Sequence, residues 1–281
     1  MKTLVNSVAA VLLAGLPIAL FSQWPNYPTP GVPRTPDGKP NLEGPAPRTA
    51  DGKPDLSGIW ASRGQGGQGK NKGKAPALAP GEIPNATFGN VGAGVPEGLP
   101  LRPLAAEVMN RRRADNSKDN PDAHCLPIGL TQLHLHPQPR KIVQTPAVVV
   151  IMYESNSGLR QIFTDGRPLP NNDPQPWWYG YSVGKWEGDT LVVETIGFRD
   201  DVWLDVRGSP LTNAGKMIER MRRPNYGTLE TEITIDDPTA YTKPFTVKVT
   251  HRVMLDTDLI EFVCAENERF VPHIFGSKGG K

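Results

Sequence analysis

His134-Leu135-His136 sets two imidazoles one residue apart, the sharpest local chemical signal in the chain. On an extended backbone both rings project to the same side, about 7 Å apart, and can share a divalent metal. A third ligand would have to come from His251, His273 or Glu154. Flanking Pro137 and Pro139 suggest a strand end instead, with surface or hydrogen-bonded histidines. The expectation is no resident cofactor, with a partly occupied divalent metal at His134 and His136 as the alternative.

His251 stands among Phe245, Val247, Val249 and Val253, which share one face of an alternating run, while Thr246, Lys248, Thr250 and Arg252 share the other. An inward imidazole favours its neutral form and needs partners for its nitrogens. It suits a ligand-binding donor, a general base or a core histidine bonded to a backbone carbonyl. Glu154 closes an apolar run and Arg160 opens the next, which reads first as a cross-strand ion pair. Asp165-Gly166-Arg167 is a turn whose arginine could clamp an anion at a barrel mouth. Trp177, Trp178, Tyr179 and Tyr181 crowd a Pro-rich loop, where aromatics either stack on a sugar or apolar ligand or plug a barrel end. The chain has no GxSxG elbow, HExxH pair, phosphate loop, dinucleotide fingerprint or haem-attachment CxxCH.

The elements that must position these residues are strands. From Lys141 to Phe198, β-branched and aromatic residues fill short runs separated by SNSG, TDG and EGD reversals. A second such series spans Thr228 to Cys264, with a DDP turn. About ten strands are expected, among them Lys141–Thr145, Val148–Tyr153, Tyr181–Trp186, Thr190–Ile196, Met217–Arg222, Leu229–Ile235, Phe245–Met254 and Leu259–Cys264. The fold class is mainly β: an antiparallel meander closed into a barrel or sandwich. Leu104–Arg113 is the one convincing helix, with Leu104, Val108 and Met109 on one face.

Of 281 residues, 29 are Gly and 30 are Pro, about a fifth of the chain, and the excess lies before residue 104. Residues 1–22 read as a signal peptide ending at Ser22, 23–55 as an extended Pro/Gly-rich arm, and 56–281 as one barrel-like domain with a flexible insertion at about 62–103. The arm carries an echo, RTPDGKPNLEG at 34–44 and RTADGKPDLSG at 48–58. Two copies are too few for a solenoid, so the arm either lies across the barrel or reaches a neighbouring subunit. A secreted or periplasmic chain with two cysteines predicts one disulfide, Cys125–Cys264. A formal net charge of +2 argues against nucleic acid, and no membrane span is expected after signal removal.

The block GYSVGKWEGDTLVVETIGF, with Trp203-Leu204-Asp205, ERMRR at 219–223, TIDDPTAYTKPF at 234–245 and EFVCAENE at 261–268, resembles a secreted β-rich family abundant in soil bacteria. The resemblance implies an exported β-barrel and supplies no reaction. Relatives of that kind often carry G-H-P-H, then Ser or Thr and Glu, where this chain has Gly208-Ser209-Pro210-Leu211-Thr212-Asn213, and His in place of Leu169. Any role of those histidines is absent here. Gly58-Ile59-Trp60 is also similar to the GxW that opens lipocalin barrels.

The leading expectation is an exported barrel that binds a small ligand, a sugar or apolar compound, or a protein partner, through His251, Trp177, Trp178, Tyr181 and Arg167. One rival is a hydrolase or lyase using His251 with Glu154 or a metal at His134 and His136. The other is a structural protein that self-associates through its arm.

Overall fold

The computed structural model describes residues 27–62, 90–170 and 175–264. The signal segment, His273 and residues 63–89 lie outside them. Nine strands close into a barrel: β1 (Gly58–Ser62), β2 (Arg140–Gln144), β3 (Val148–Tyr153), β4 (Gly158–Phe163), β5 (Tyr181–Glu187), β6 (Thr190–Ile196), β9 (Lys216–Asn225), β10 (Thr228–Asp236) and β11 (Phe245–Met254). The order around the ring is β1-β11-β10-β9-β6-β5-β4-β3-β2. Two short strands, β7 (Val202–Trp203) and β8 (Pro210–Leu211), pair separately.

An odd number of strands cannot alternate direction all the way round a closed ring, so one pair must be parallel. That pair is β4–β5, and it is joined only at Ile162↔Ser182 and Phe163↔Val183. Every other seam is antiparallel, with registers of up to eight residue pairs. The parallel seam is thus the thinnest stretch of wall, and the chain must return to the same end of the barrel between β4 and β5. The aromatic loop belongs to this return.

Period-two alternation sets the faces. Along β11, Phe245, Val247, Val249, His251 and Val253 are buried, as expected, and along β10 Leu229, Thr231, Ile233 and Ile235 are buried. Val149, Ile151, Ile162, Val193, Met217 and Met221 fill the interior from the other strands.

Several expectations change. Leu259–Cys264 is not a strand: β1 pairs with β11 on one side and β2 on the other, so the closed ring offers no edge to extend. The Cys125–Cys264 disulfide holds this segment instead. Helix α1 (Pro103–Ala114) forms, but it buries Ala105 and leaves Leu104 77 % exposed. A second helix, α2 (Leu130–Leu135), stands where an extended HxH was expected, and all six of its residues are buried. It follows Gly129, where an added Cβ would lie 2.2 Å from the Trp203 carbonyl oxygen.

The described part of the arm lies on its own barrel. Both repeat copies fold as the same loop, with Arg34 Nη1 donating to the Gly38 carbonyl and Arg48 Nη1 to that of Gly52. Arg48 also forms a two-point ion pair with Asp189 in the β5–β6 turn, and Gly227 N–H bonds to the Leu42 carbonyl. The insertion ends in a packed turn, Val91–Gly94, where Val91 N–H donates to buried Asp205.

Candidate functional site

A buried polar chain crosses the barrel interior. α2 enters the end of the barrel where β1 finishes and β2 begins, with Ser62 Oγ donating to the His136 carbonyl at 2.9 Å. His134 Nε2 lies 2.8 Å from Glu219 Oε1 on β9, and Arg140 Nη1 of β2 lies 3.1 Å from His134 Nδ1. A guanidinium only donates, so Nδ1 accepts and Nε2 carries the proton that bonds to Glu219. His134 is therefore the neutral Nε2–H tautomer. Beyond Glu219, Arg160 of β4 forms a two-point ion pair with the carboxylate and also donates to Ser182 Oγ and Thr195 Oγ1.

The electrostatics agree with this assignment. Burial pushes the His134 pKa down, and the partial pull of Glu219 does not restore it. Burial alone would raise the Glu219 carboxyl, but the Arg160 charge and the bonds from His134 and Arg160 outweigh it and hold it well below the carboxylate range. The Arg160 guanidinium is fully buried yet its pKa rises, because Glu219 more than offsets its desolvation.

His251 points inward as expected but does not face an open cavity. It is fully buried, its Nε2 donates to the His134 carbonyl at 2.8 Å, and its ring centre lies 5.7 Å from that of His134. Burial first, then the nearby Arg140 charge, push its pKa well below the ordinary histidine value. Glu154 does not join it: its carboxylate accepts from Ile260 N–H, and burial raises its pKa. Nor does Glu154 pair with Arg160, which turns into the barrel opposite Ile151 while Glu154 lies just past the end of β3.

The shared-metal geometry at His134 and His136 does not form. His134 sits inside α2 and His136 just past it, so the rings diverge, and His136 Nε2 faces Asp122 at 3.6 Å. No group of three His, Cys, Asp or Glu suited to a metal occurs among the described residues.

The aromatic loop does border an opening. Pro176, Trp177, Trp178 and Tyr179 wall a cleft of about 360 Å³ at the parallel seam, with Leu159 and Phe163 beside them and Arg160, Gln161 and Ser182 also lining it. Trp177 is 47 % exposed and its backbone is pinned to Gly197 and Arg199. The Arg199 guanidinium lies 4.4 Å over the Trp178 ring. The Tyr179 hydroxyl reaches over Gly158, where an added Cβ would come within 2.6 Å of it. Two expected residues take other places. Tyr181 packs against Trp177 and Phe163, outside the lining. Arg167 is held by Asp165 and stacks 3.9 Å over Phe163, so its charge is already paired.

A larger groove of about 550 Å³, lined by Arg167, Leu169 and Trp186, lies on the outer face of β5 and β6. The smaller cleft is the better candidate because Arg160 and Ser182 connect it to the buried chain. Glu219, Arg160 and Arg140 were missed as a group, although the signal was present. In K-M-I-E-R-M-R-R the strand period puts Glu219 in phase with Met217 and Met221, and Arg140 shares a phase with Ile142. A charge in the apolar phase of a strand marks an interior network. Searches of family models, curated proteins and solved structures find nothing that matches this chain.

Proposed function

We propose that this protein is an exported barrel that binds a small ligand, a sugar or an apolar compound, in the cleft at the β4–β5 seam. The observation that carries the reading is the joining of Trp177, Trp178 and Tyr179 with Arg160 and Ser182 around one opening. The aromatic walls offer flat apolar faces for a ring. Gln161 and Tyr179 add polar groups that fix orientation, the usual division of labour in small-molecule sites. The Arg160–Glu219 pair stiffens the floor of the cleft. An apolar N-terminal segment and the Cys125–Cys264 disulfide support export.

The test is intrinsic tryptophan fluorescence of the full chain against panels of mono- and oligosaccharides and of hydrophobic ring compounds, with calorimetry of any hit. Trp177→Ala should weaken a bound ligand about two- to tenfold, the worth of one stacking contact, and leave the far-UV spectrum unchanged. Unchanged affinity in Trp177→Ala and in Trp178→Ala overturns the reading.

A further inference from the structure

In the polar chain around His134, two buried guanidinium charges stand against one carboxylate. Arg140 and Arg160 are 1 % and 2 % exposed, and Glu219 is fully buried. His134 and His251 are neutral by the hydrogen bonding and burial described above. Glu219 serves Arg160 directly and reaches Arg140 only through the His134 ring. The contacts of Arg140 are His134 Nδ1, the Leu133 carbonyl at 2.7 Å and the His134 carbonyl at 3.3 Å. No carboxylate touches it among the described residues. Burial lowers its pKa to about 10, which leaves it cationic at neutral pH. A buried charge without a counter-charge costs several kcal/mol, and arginine does not escape by losing its proton.

Buried polar atoms without partners occur at this charge and on the helix that adjoins it. Arg140 Nε is buried and has no protein partner. Tyr153 stands directly opposite Arg140 in the β2–β3 register, with the guanidinium 5.7 Å from its ring centre; its buried hydroxyl also faces Arg160, which can only donate, so the phenol O–H has no acceptor. Burial raises the Tyr153 pKa despite both nearby arginines, so the phenol stays protonated and acts as a donor. It cannot itself serve as the counterion. On α2, Thr131 Oγ1 and both amide atoms of Gln132 are likewise buried without partners. Native interiors tolerate few such atoms, and a group of them calls for a bound polar species.

We propose that the α2 end of the barrel is a binding site for a small monovalent anion, held beside Arg140 and the Tyr153 hydroxyl. The chemistry required is one negative charge that accepts from a guanidinium N–H and a phenol O–H. A free halide or nitrate supplies it, as does a compact carboxylate such as formate. The site adjoins the aromatic cleft, since the Tyr153 ring packs 6.1 Å from that of Tyr179, but it does not depend on the reading given for that cleft.

The experiment uses the full chain in buffer whose only anion is gluconate, a bulky hydroxylated carboxylate, with chloride, bromide, nitrate or formate exchanged in at constant ionic strength. Thermal unfolding should rise along a saturable curve with the small anions and stay flat with gluconate. Response to halide and nitrate but not formate assigns the site to inorganic anions, and equal response assigns it to both sources. Tyr153→Phe keeps the ring and removes one donor, so its half-saturation concentration should rise about tenfold. Arg140→Met should abolish the saturable response. Bromide-soaked crystals should show an anomalous peak beside Arg140, a readout independent of whether either variant folds. A linear response common to gluconate and bromide, or bromide crystals with no interior peak, overturns the proposal.

Discussion

His134 and Glu219, 85 residues apart in the chain, meet at 2.8 Å inside the barrel, where the imidazole N–H donates to a carboxylate that also carries Arg160. Both side chains are closed off from water. Glu219 is fully buried and His134 is 1 % exposed, so removing Glu219 leaves the His134 N–H without an acceptor, whereas removing His134 leaves Glu219 with Arg160 alone. This contact ties α2 to β9 across the barrel and explains why a helix with six buried residues sits stably in a barrel end.

Glu219→Gln should be among the most damaging substitutions in the protein. It preserves shape and removes the charge, leaving Arg160 buried and uncompensated. Breaking a buried pair on one side costs about 3–5 kcal/mol. Urea denaturation of Glu219→Gln should show a loss in that range. A loss below about 1 kcal/mol would mean that water reaches Arg160.

Acid should destabilise the protein in two stages. Burial holds His134 and His251 below the ordinary value of 6.5, so below that pH the unfolded chain binds more protons than the folded one. Stability therefore falls as pH drops through 6.5, by up to about 1.4 kcal/mol per pH unit for each histidine. Glu219 is depressed from 4.5, so its contribution is present above that pH and is lost on further acidification. His251→Gln should flatten the slope between pH 7 and 5, measured by denaturation at fixed temperature. An unchanged slope would show that His251 does not set it.

Cys264→Ser should loosen the segment after β11 and lower stability. The bridge spans 139 residues of sequence, for which the chain-entropy model gives about 5 kcal/mol. Non-reducing digestion should recover a peptide pair linking Cys125 to Cys264. Free thiols at both positions in protein isolated from an oxidising compartment would refute the bridge.

Gly129→Ala tests the seating of α2. The backbone at Gly129 suits any residue (φ −62°), so a loss would come from the contact with the Trp203 carbonyl alone. Because that neighbour is backbone, the change should cost at least the about 1–3 kcal/mol typical of overpacking. Gly158→Ala should be milder, since there the neighbour is the movable end of Tyr179. Equal costs at the two sites would contradict the tight seating of the helix.

Much of the barrel was legible in the sequence because strand character is local. Alternation within Leu229–Ile235 and Phe245–Met254 assigned the inward faces without any partner strand. Turn residues marked the reversals, and two cysteines in a chain with an export-like leader left one pairing.

What tertiary structure decided is whatever depends on closure. Ring closure removed the edge that Leu259–Cys264 would have needed, and the odd strand count forced a parallel seam, which opened the aromatic cleft. Insertion of α2 turned an apparent metal pair into one buried and one peripheral histidine. Arg160 illustrates the reason most clearly. Its sequence neighbour Glu154 was the apparent partner, yet its actual partner lies 59 residues away, because Arg160 turns to the inner side of the wall, where Glu219 stands. Local pattern states which way a strand faces; only the closed barrel determines what stands across from it.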